Sequence, residues 1–437
     1  MAIFVIFGAV LNAGEAGQGF MNLAAAAAGR LRGGAGKVSV IASALFGSIS
    51  GSASANVAST GAVTIPAMIR MGYPRRIAGA VEAVASSGGQ IMPPLMGAGA
   101  FVMVELTGTP YTQIIMAALL PALLYFAVVW FGIDAYARRL DLGGLPPDQQ
   151  PARREVLITS AFFMVPFAVL LGAMFWAGYT PQYSAGLAII AGAALLLTGT
   201  DMRIDLRRAA GRAEVALIGA ARQVSLIAAI ILCASIIVGV LAITGLGVKI
   251  TSLILSASNG GLWPSLLLTA LACLVLGMEV PTTAAYVICV SVAGPALTTL
   301  GLEPLQAHLF VFWFALLSTI TPPVCGAVFI AAGMAEENWL RVAMTAMALG
   351  VGLYLIPLGM IARPDLIRLA EAPGAALLSA GLVGGGCIAI SYAIIGVQKL
   401  MVRMMCLAIG TALILCPWDE DKTADAAPKS AARVSAG

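Results

Sequence analysis

Apolar runs of about twenty residues, the helix length that crosses roughly 30 Å of hydrocarbon, recur from end to end of this chain. The pattern predicts spans over 111–131, 156–177, 183–198 and 224–244. The ten-residue alternation of lipid-facing strands is absent, so the expected fold class is an all-α polytopic membrane protein and not a β-barrel. Four polar stretches interrupt the apolar text. "GSISGSASANVAS", Gly47 to Ser59, places five serines and an asparagine where lipid is expected, and "GMEVPTTAAY", Gly277 to Tyr286, is a second such island. The other two, "SSGGQIMPP" (Ser86 to Pro94) and "STITPP" (Ser318 to Pro323), each end in a proline pair.

Composition agrees with the pattern: 60% hydrophobic and 10% charged residues exclude a water-exposed surface for a chain of this size. The net charge of +4 resides mainly in short loops, where it orients membrane helices, and no nucleic-acid partner is expected. The seven cysteines, Cys233, Cys273, Cys289, Cys325, Cys387, Cys406 and Cys416, have no paired metal-ligand spacing and read as small core hydrophobes. The chain starts partway through an apolar segment with no basic signal-peptide region, which suggests a missing preceding part.

Basic clusters set an orientation. Arg138, Arg139, Arg153 and Arg154 precede the 156–177 span, and Arg203, Arg207, Arg208, Arg212 and Arg222 follow the 183–198 span, so both clusters are expected in cytoplasmic loops. The two proline pairs, Pro93-Pro94 and Pro322-Pro323, lie 229 residues apart, and the same ungapped offset aligns Leu45 with Leu274, Ala55 with Ala284, Pro66 with Pro295, Gly72 with Gly301, Gly97 with Gly326 and Tyr125 with Tyr354. This is an internal repeat. The loop after the first unit's serine stretch carries Arg70, Arg75 and Arg76, whereas its counterpart carries only Glu303, so the charge rule predicts an inverted repeat.

Residues 37–68 are too long for one straight span, break at the serine run, and are basic at both ends, which predicts a re-entrant hairpin; residues 263–295 predict its mirror. At such tips helix ends offer free amides to an anion, while carbonyls and hydroxyls can hold a hard cation such as sodium. The candidate site residues are Ser50, Ser52, Ser54 and Asn56 at the first tip, with Ser48 nearby, and Gly277, Glu279, Pro281, Thr282 and Thr283 at the second. Proline removes an amide donor and frees carbonyls, so Gly88, Gly89, Gln90, Pro93 and Pro94, and Thr319, Thr321, Pro322 and Pro323, are expected to break two helices facing the tips. The competing explanation is that small residues only let helices approach closely.

Ionisable groups inside apolar spans are costly and suggest function; Glu82, Glu105 and Glu279 fall in or beside such spans, with Glu105 expected at a boundary. His308 is expected to make a satisfied polar contact. The aspartates, Asp134, Asp141, Asp148, Asp201, Asp205, Asp365 and Asp419, are placed in loops or the tail. HExxH and GxxxxGK[ST] are absent, and no suitable serine elbow occurs, which argues against an intramembrane hydrolase or a P-loop ATPase and hence against an enzyme.

The strings "SGSASANVASTGAVTIPAMIRMGYPRRIAGAVEAVASSGGQIMPPLMGAGAF", "GMEVPTTAAYVICVSVAGPAL" and "STITPPVCGAVFIAAGMA" together resemble the large membrane subunit of tripartite ATP-independent periplasmic (TRAP) transporters, over most of residues 4–357. The likeness is strongest to the TAXI-type branch, whose permease is commonly a fusion of small and large subunits. The resemblance implies an elevator-type, sodium-coupled importer of organic anions in the bacterial inner membrane, fed by a periplasmic solute-binding protein. Sodium is its coupling ion, with no further cofactor expected. It also implies a small membrane subunit, or N-terminal helices, supplied from elsewhere. The expected division is a partial scaffold helix and connector over 1–36, repeat 1 over 37–135, a linker with two scaffold helices over 136–222, repeat 2 over 223–360, and C-terminal helices with a polar tail over 361–437. Alternatives are an inverted-repeat anion and sodium symporter that needs no binding protein, and a non-transporting membrane scaffold.

Overall fold

A computed structural model describes residues 2–146, 150–199, 204–278, 280–397 and 399–415. Among them the regular structure is helical, apart from one isolated bridge between Thr198 and Ile204. Helices are the expected solution, because a backbone in hydrocarbon must satisfy its own polar groups. Among the described residues six helical stretches, with 339–362 taken as one, are long and apolar enough to cross a membrane. Large apolar side chains also stand on the outer surface: Trp176, Ile243 and Met401 are almost wholly exposed, as suits side chains facing lipid.

The chain opens with α1 (Ala2–Ala13) and α2 (Ala16–Ala28), bent by 72° at their junction. Next come α3 (Gly34–Ser50) and α4 (Ala53–Arg70), a packed antiparallel hairpin whose turn is Gly51-Ser52. Gly51 takes the left-handed conformation that stops α3, and the Ser52 hydroxyl accepts the Ala55 amide to start α4. A broken helix follows, α5 (Arg75–Gly89) and α6 (Gly99–Thr107), with the proline pair between its halves, and then α7 (Tyr111–Arg139).

Repeat 2 reproduces this order with α12 (Leu262–Leu276) and α13 (Thr282–Thr299) as its hairpin, and α14 (Pro304–Leu317) and α15 (Gly326–Ala335) as its broken helix. α16 (Trp339–Leu349) and α17 (Val351–Ala362) together stand where α7 stands in repeat 1. The registers agree closely. Residue 53 starts α4 and residue 282 starts α13, Pro66 and Pro295 lie inside those helices, Gly72 and Gly301 share a φ of 90°, and both Pro-Pro bonds are cis.

The repeats interlock. α15 packs on α4 and α5 of the first repeat, while α6 packs on α13 and α14 of the second. Arg75 at the start of α5 donates to the Ala335 carbonyl, at 3.1 Å, and to Glu336, closing the same junction from the end. Around this core stand α8 (Arg153–Phe175), α9 (Pro181–Leu196), α10 (Leu206–Thr244), α11 (Leu246–Ala257), α18 (Pro373–Ile395) and α19 (Leu400–Leu415). α10 is 39 residues long, so Arg207, Arg208, Arg212 and Arg222 lie on a helix and not in the loop expected from their charge. Arg203 lies outside the described residues.

Asp134 also departs from expectation. It sits inside α7, where Lys37 reaches it at 3.0 Å and Arg138 at 2.7 Å. A helix-borne carboxylate between two cations is a structural tie, and Lys37, 5% exposed, also lies 5.1 Å from the centre of the Trp130 ring. Cys273, Cys289, Cys325 and Cys387 are buried as expected, but Cys233 is exposed. His308 bonds the Tyr286 hydroxyl at 2.7 Å.

Candidate binding cavity between the repeats

Both hairpin turns and both helix breaks open onto one cavity of about 330 Å³. The first hairpin contributes Ser50, Gly51, Ser52 and Ser54, and the second Gly277, Pro281, Thr282 and Thr283. Gln90 and Gly97 come from the first break, Ser318, Thr319 and Gly326 from the second, and Gln223 of α10 closes one side. Glu279, also expected at this tip, lies outside the described residues.

Helix ends give the cavity its electrostatics. α4, α13 and α15 start there, and the first amides of each have no partner one turn back, whereas α3, α5, α12 and α14 end there, with several of their last carbonyls taken by the following turn and by Gln223 and Ser318. N-terminal ends favour an anion and C-terminal ends a cation. One side chain adds a donor: Gln90 is 2% exposed, lines the cavity, and its Nε2 has no hydrogen-bond partner. A buried donor without a partner is costly. A ligand oxygen at this place relieves that cost.

The turn of hairpin 1 seats on the break of its own repeat through glycine. A Cβ placed on Gly51 would lie 2.6 Å from the Gly97 Cα, and Gly47 and Gly89 meet in the same way. Hydroxyls join the remaining parts. Ser318 Oγ donates to the Gly277 carbonyl at 2.9 Å, linking break and hairpin in repeat 2, and Ser87 and Thr319 hydroxyls meet at 3.0 Å across the two repeats.

Several expected site residues stand behind the cavity instead. The Asn56 side chain is fully buried and donates to the Ser43 carbonyl at 2.9 Å, because its place one turn into α4 turns it toward α3 and α5. Ser48 donates to the Leu45 carbonyl. Gly88 is packed under the Tyr125 ring and Gly89 against Gly47. Thr321 bonds the Tyr354 hydroxyl at 2.7 Å, and none of Pro93, Pro94, Pro322 and Pro323 lines the cavity.

A second polar cluster escaped the sequence reading except for Glu82. This carboxylate on α5, with no exposed surface, is surrounded by hydroxyls from three helices: Ser39 and Ser43 of α3, Thr60 and Thr64 of α4, and Ser86 of α5 itself. The signal was present in the sequence as three pairs at i and i+4, which share one helix face. Glu105, by contrast, is exposed at the end of α6, as a boundary residue should be.

A polytopic helical protein with two interlocked repeats, helix ends converging on a cavity between them, and no enzymatic motif is built as a permease. Comparison with known proteins gives the family. Residues 1–395 match the family model for the tripartite ATP-independent periplasmic transporter, DctM component, and the chain belongs to that family. It is 25% identical over 334 residues to the C4-dicarboxylate TRAP transporter large permease protein DctM of Pseudomonas aeruginosa, covering 75% of each chain. It is 25% identical over 373 residues, 84% of each chain, to the 2,3-diketo-L-gulonate TRAP transporter large permease protein YiaN of Escherichia coli. The isethionate TRAP transporter permease protein DctMQ of Oleidesulfovibrio alaskensis is 25% identical over 359 residues, 81% of this chain and 55% of that longer relative. The chain is therefore a multi-pass inner-membrane protein of a secondary-transporter permease family, and not an enzyme. Large permeases of this family work with a periplasmic binding protein and a small membrane subunit.

Proposed function

We propose that this chain is the large permease subunit of a sodium-coupled importer of small organic anions, loaded by a periplasmic solute-binding protein and partnered by a small membrane subunit. The observation that carries the reading is the shared cavity, which gathers both hairpin turns, both helix breaks and the partnerless Gln90 amide into about 330 Å³. The substrate class is a small molecule with a carboxylate or sulfonate group, in keeping with the C4-dicarboxylate, isethionate and diketogulonate named for its relatives. Its anionic group meets the amides of α4 and α13 and the Gln90 amide; sodium, carried as cargo, meets carbonyls at the ends of the half-helices.

In this reading the hairpins are re-entrant, repeats 1 and 2 over 37–135 and 223–360 form the moving part, and α1, α2, α8 and α9 belong to the scaffold against which it slides. α18 and α19 are the C-terminal addition of a TAXI-type permease. Binding favours whichever state it contacts better, so transport requires that the fully loaded cavity cross more readily than the half-loaded one. The test is uptake into proteoliposomes holding this chain and its small subunit, with labelled C4-dicarboxylate and isethionate as probes. Uptake that needs both inward sodium and a binding protein is expected. Uptake indifferent to the binding protein identifies a free-standing symporter, and indifference to sodium removes the coupling assigned here.

A further inference from the structure

We propose that Glu82 and the five hydroxyls around it form a proton-binding site behind hairpin 1, apart from the cavity that receives the substrate. The carboxylate is buried on every side, and no basic group among the described residues forms an ion pair with it. The helices packed on the cluster carry charge elsewhere. Lys37 of α3 and Arg138 of α7 bond Asp134, Arg75 of α5 bonds Glu336, and Arg341 of α16 stands by Glu337. The other charged groups on these elements, Arg70, Arg76 and Arg139, lie in the first or last turns of their helices. Ionisable groups held inside membrane helices commonly serve ion or proton movement.

Repeat 2 shows that the cluster is not required by the fold. At the 229-residue offset, Ser39, Ser43, Thr60, Thr64, Glu82 and Ser86 correspond to Leu268, Ala272, Cys289, Ala293, Val311 and Ala315. The same hairpin packs on the same broken helix there with no carboxyl and no cage. A merely structural Glu82 has an apolar substitute already present in the molecule.

The contacts around the carboxylate are hydrogen bonds: Ser39 lies 2.7 Å and Ser86 3.0 Å from its oxygens, and Thr60 and Thr64 are in direct contact with them. Both threonines have a second acceptor, since Thr60 Oγ1 lies 2.8 Å from the Asn56 carbonyl and Thr64 Oγ1 3.0 Å from the Thr60 carbonyl. With the carboxylate ionised, the hydroxyls donate to it. When a proton arrives on Oε2, Thr64 turns its own hydrogen to the Thr60 carbonyl and accepts the carboxyl hydrogen, so every group stays bonded in both states. The Asn56 amide, bonded to the Ser43 and Ser86 backbone, joins this cluster to the tip of hairpin 1.

Proton binding can be read on the full chain in lipid without any substrate, and so independently of the transport reading, on which only its coupling to uptake rests. Infrared difference spectra between acid and alkaline buffers should show a protonated-carboxyl band that is lost in Glu82→Gln and displaced in pH by Thr64→Val. Glu82→Gln should also release one proton fewer per chain over that range. Identical spectra and proton counts for wild type and a folded Glu82→Gln overturn the proposal. If Glu82→Gln does not fold, the Thr64→Val arm decides, because a band that keeps its midpoint there overturns it equally. Absence of uptake by the wild-type assembly, with the band present, refutes the transport reading and leaves the proton site standing.

Discussion

Replacing Gly51 by alanine should unseat the tip of hairpin 1, by two separable effects. Gly51 has a φ of 62°, and an L-residue held in that left-handed region costs roughly 1–2 kcal/mol. The added Cβ would also lie 2.6 Å from the Gly97 Cα, a backbone atom that no rotamer change can move aside. Overpacking of this kind costs about 1–3 kcal/mol. Together they reach at least about 2 kcal/mol, so the seated tip loses roughly thirtyfold in population at about 1.4 kcal/mol per factor of ten. Gly108 supplies the control: its φ is 68° and nothing lies within 4 Å of its Cβ position, so Gly108→Ala carries only the first cost. The assay is thermal unfolding in detergent together with the rate of thiol labelling at a cysteine replacing Ser54, which lines the cavity. Gly51→Ala should unfold earlier than Gly108→Ala and label faster. Gly97→Ala should behave like Gly51→Ala, and the double variant should lose less than the sum, since the contact is already open. If Gly51→Ala matches Gly108→Ala in both readouts, the glycine contact does not seat the tip.

Other expectations follow from the same geometry. Gln90→Leu should weaken substrate binding about tenfold or more, the loss of a hydrogen bond to a charged group, while thermal stability holds or rises because a partnerless buried donor is removed; unchanged affinity on calorimetry contradicts the assigned role. Asp134→Asn should destabilise by about 3–5 kcal/mol by leaving Lys37 buried and uncompensated, and adding Lys37→Met should recover most of the loss, as read by thermal unfolding. Ser52→Ala should cost about 1 kcal/mol through loss of the α4 cap, visible as faster amide exchange over 53–56. Hydrogen bonding to Arg75, and then its charge, hold the Glu336 carboxyl below its ordinary range. A group with a lowered folded value stabilises above its unfolded value and loses that contribution as pH falls through the folded one, so the 335–338 turn should gain amide exchange only in acid, and Arg75→Ala should abolish that dependence.

Much of the architecture was legible because prolines and glycines mark backbone events that side-chain exchange does not erase. The 229-residue register, found from Pro93, Pro66 and Gly72, recurs in the helix starts at Ala53 and Thr282. The cavity was only half legible. Ser50, Ser52, Ser54, Thr282 and Thr283 line it because they stand at helix ends, where position along the chain decides exposure. Asn56 does not, since within a helix the angle around the axis decides, and that angle depends on which neighbour the helix meets; Thr321, in the break after α14, is held away by its bonds to the Leu317 carbonyl and the Tyr354 hydroxyl. The same reasoning recovers the Glu82 cluster: Ser39 with Ser43 and Thr60 with Thr64 share helical faces, but nothing local says that those faces converge. Asp134 was misplaced because α7 continues well past its apolar stretch, held by Lys37, an ion pair between residues 97 apart.

The interleaving of α15 with α4 and α5 has a consequence for biogenesis. Residues 53–89 leave the ribosome long before Gly326–Ala335, the segment that finally covers them. At about 5–20 residues per second the delay is on the order of ten to fifty seconds, during which a hydroxyl-rich helical pair with a carboxyl at its centre waits in the membrane for its lid. Insertion machinery, or the newly made N-terminal helices, must shelter it in that interval.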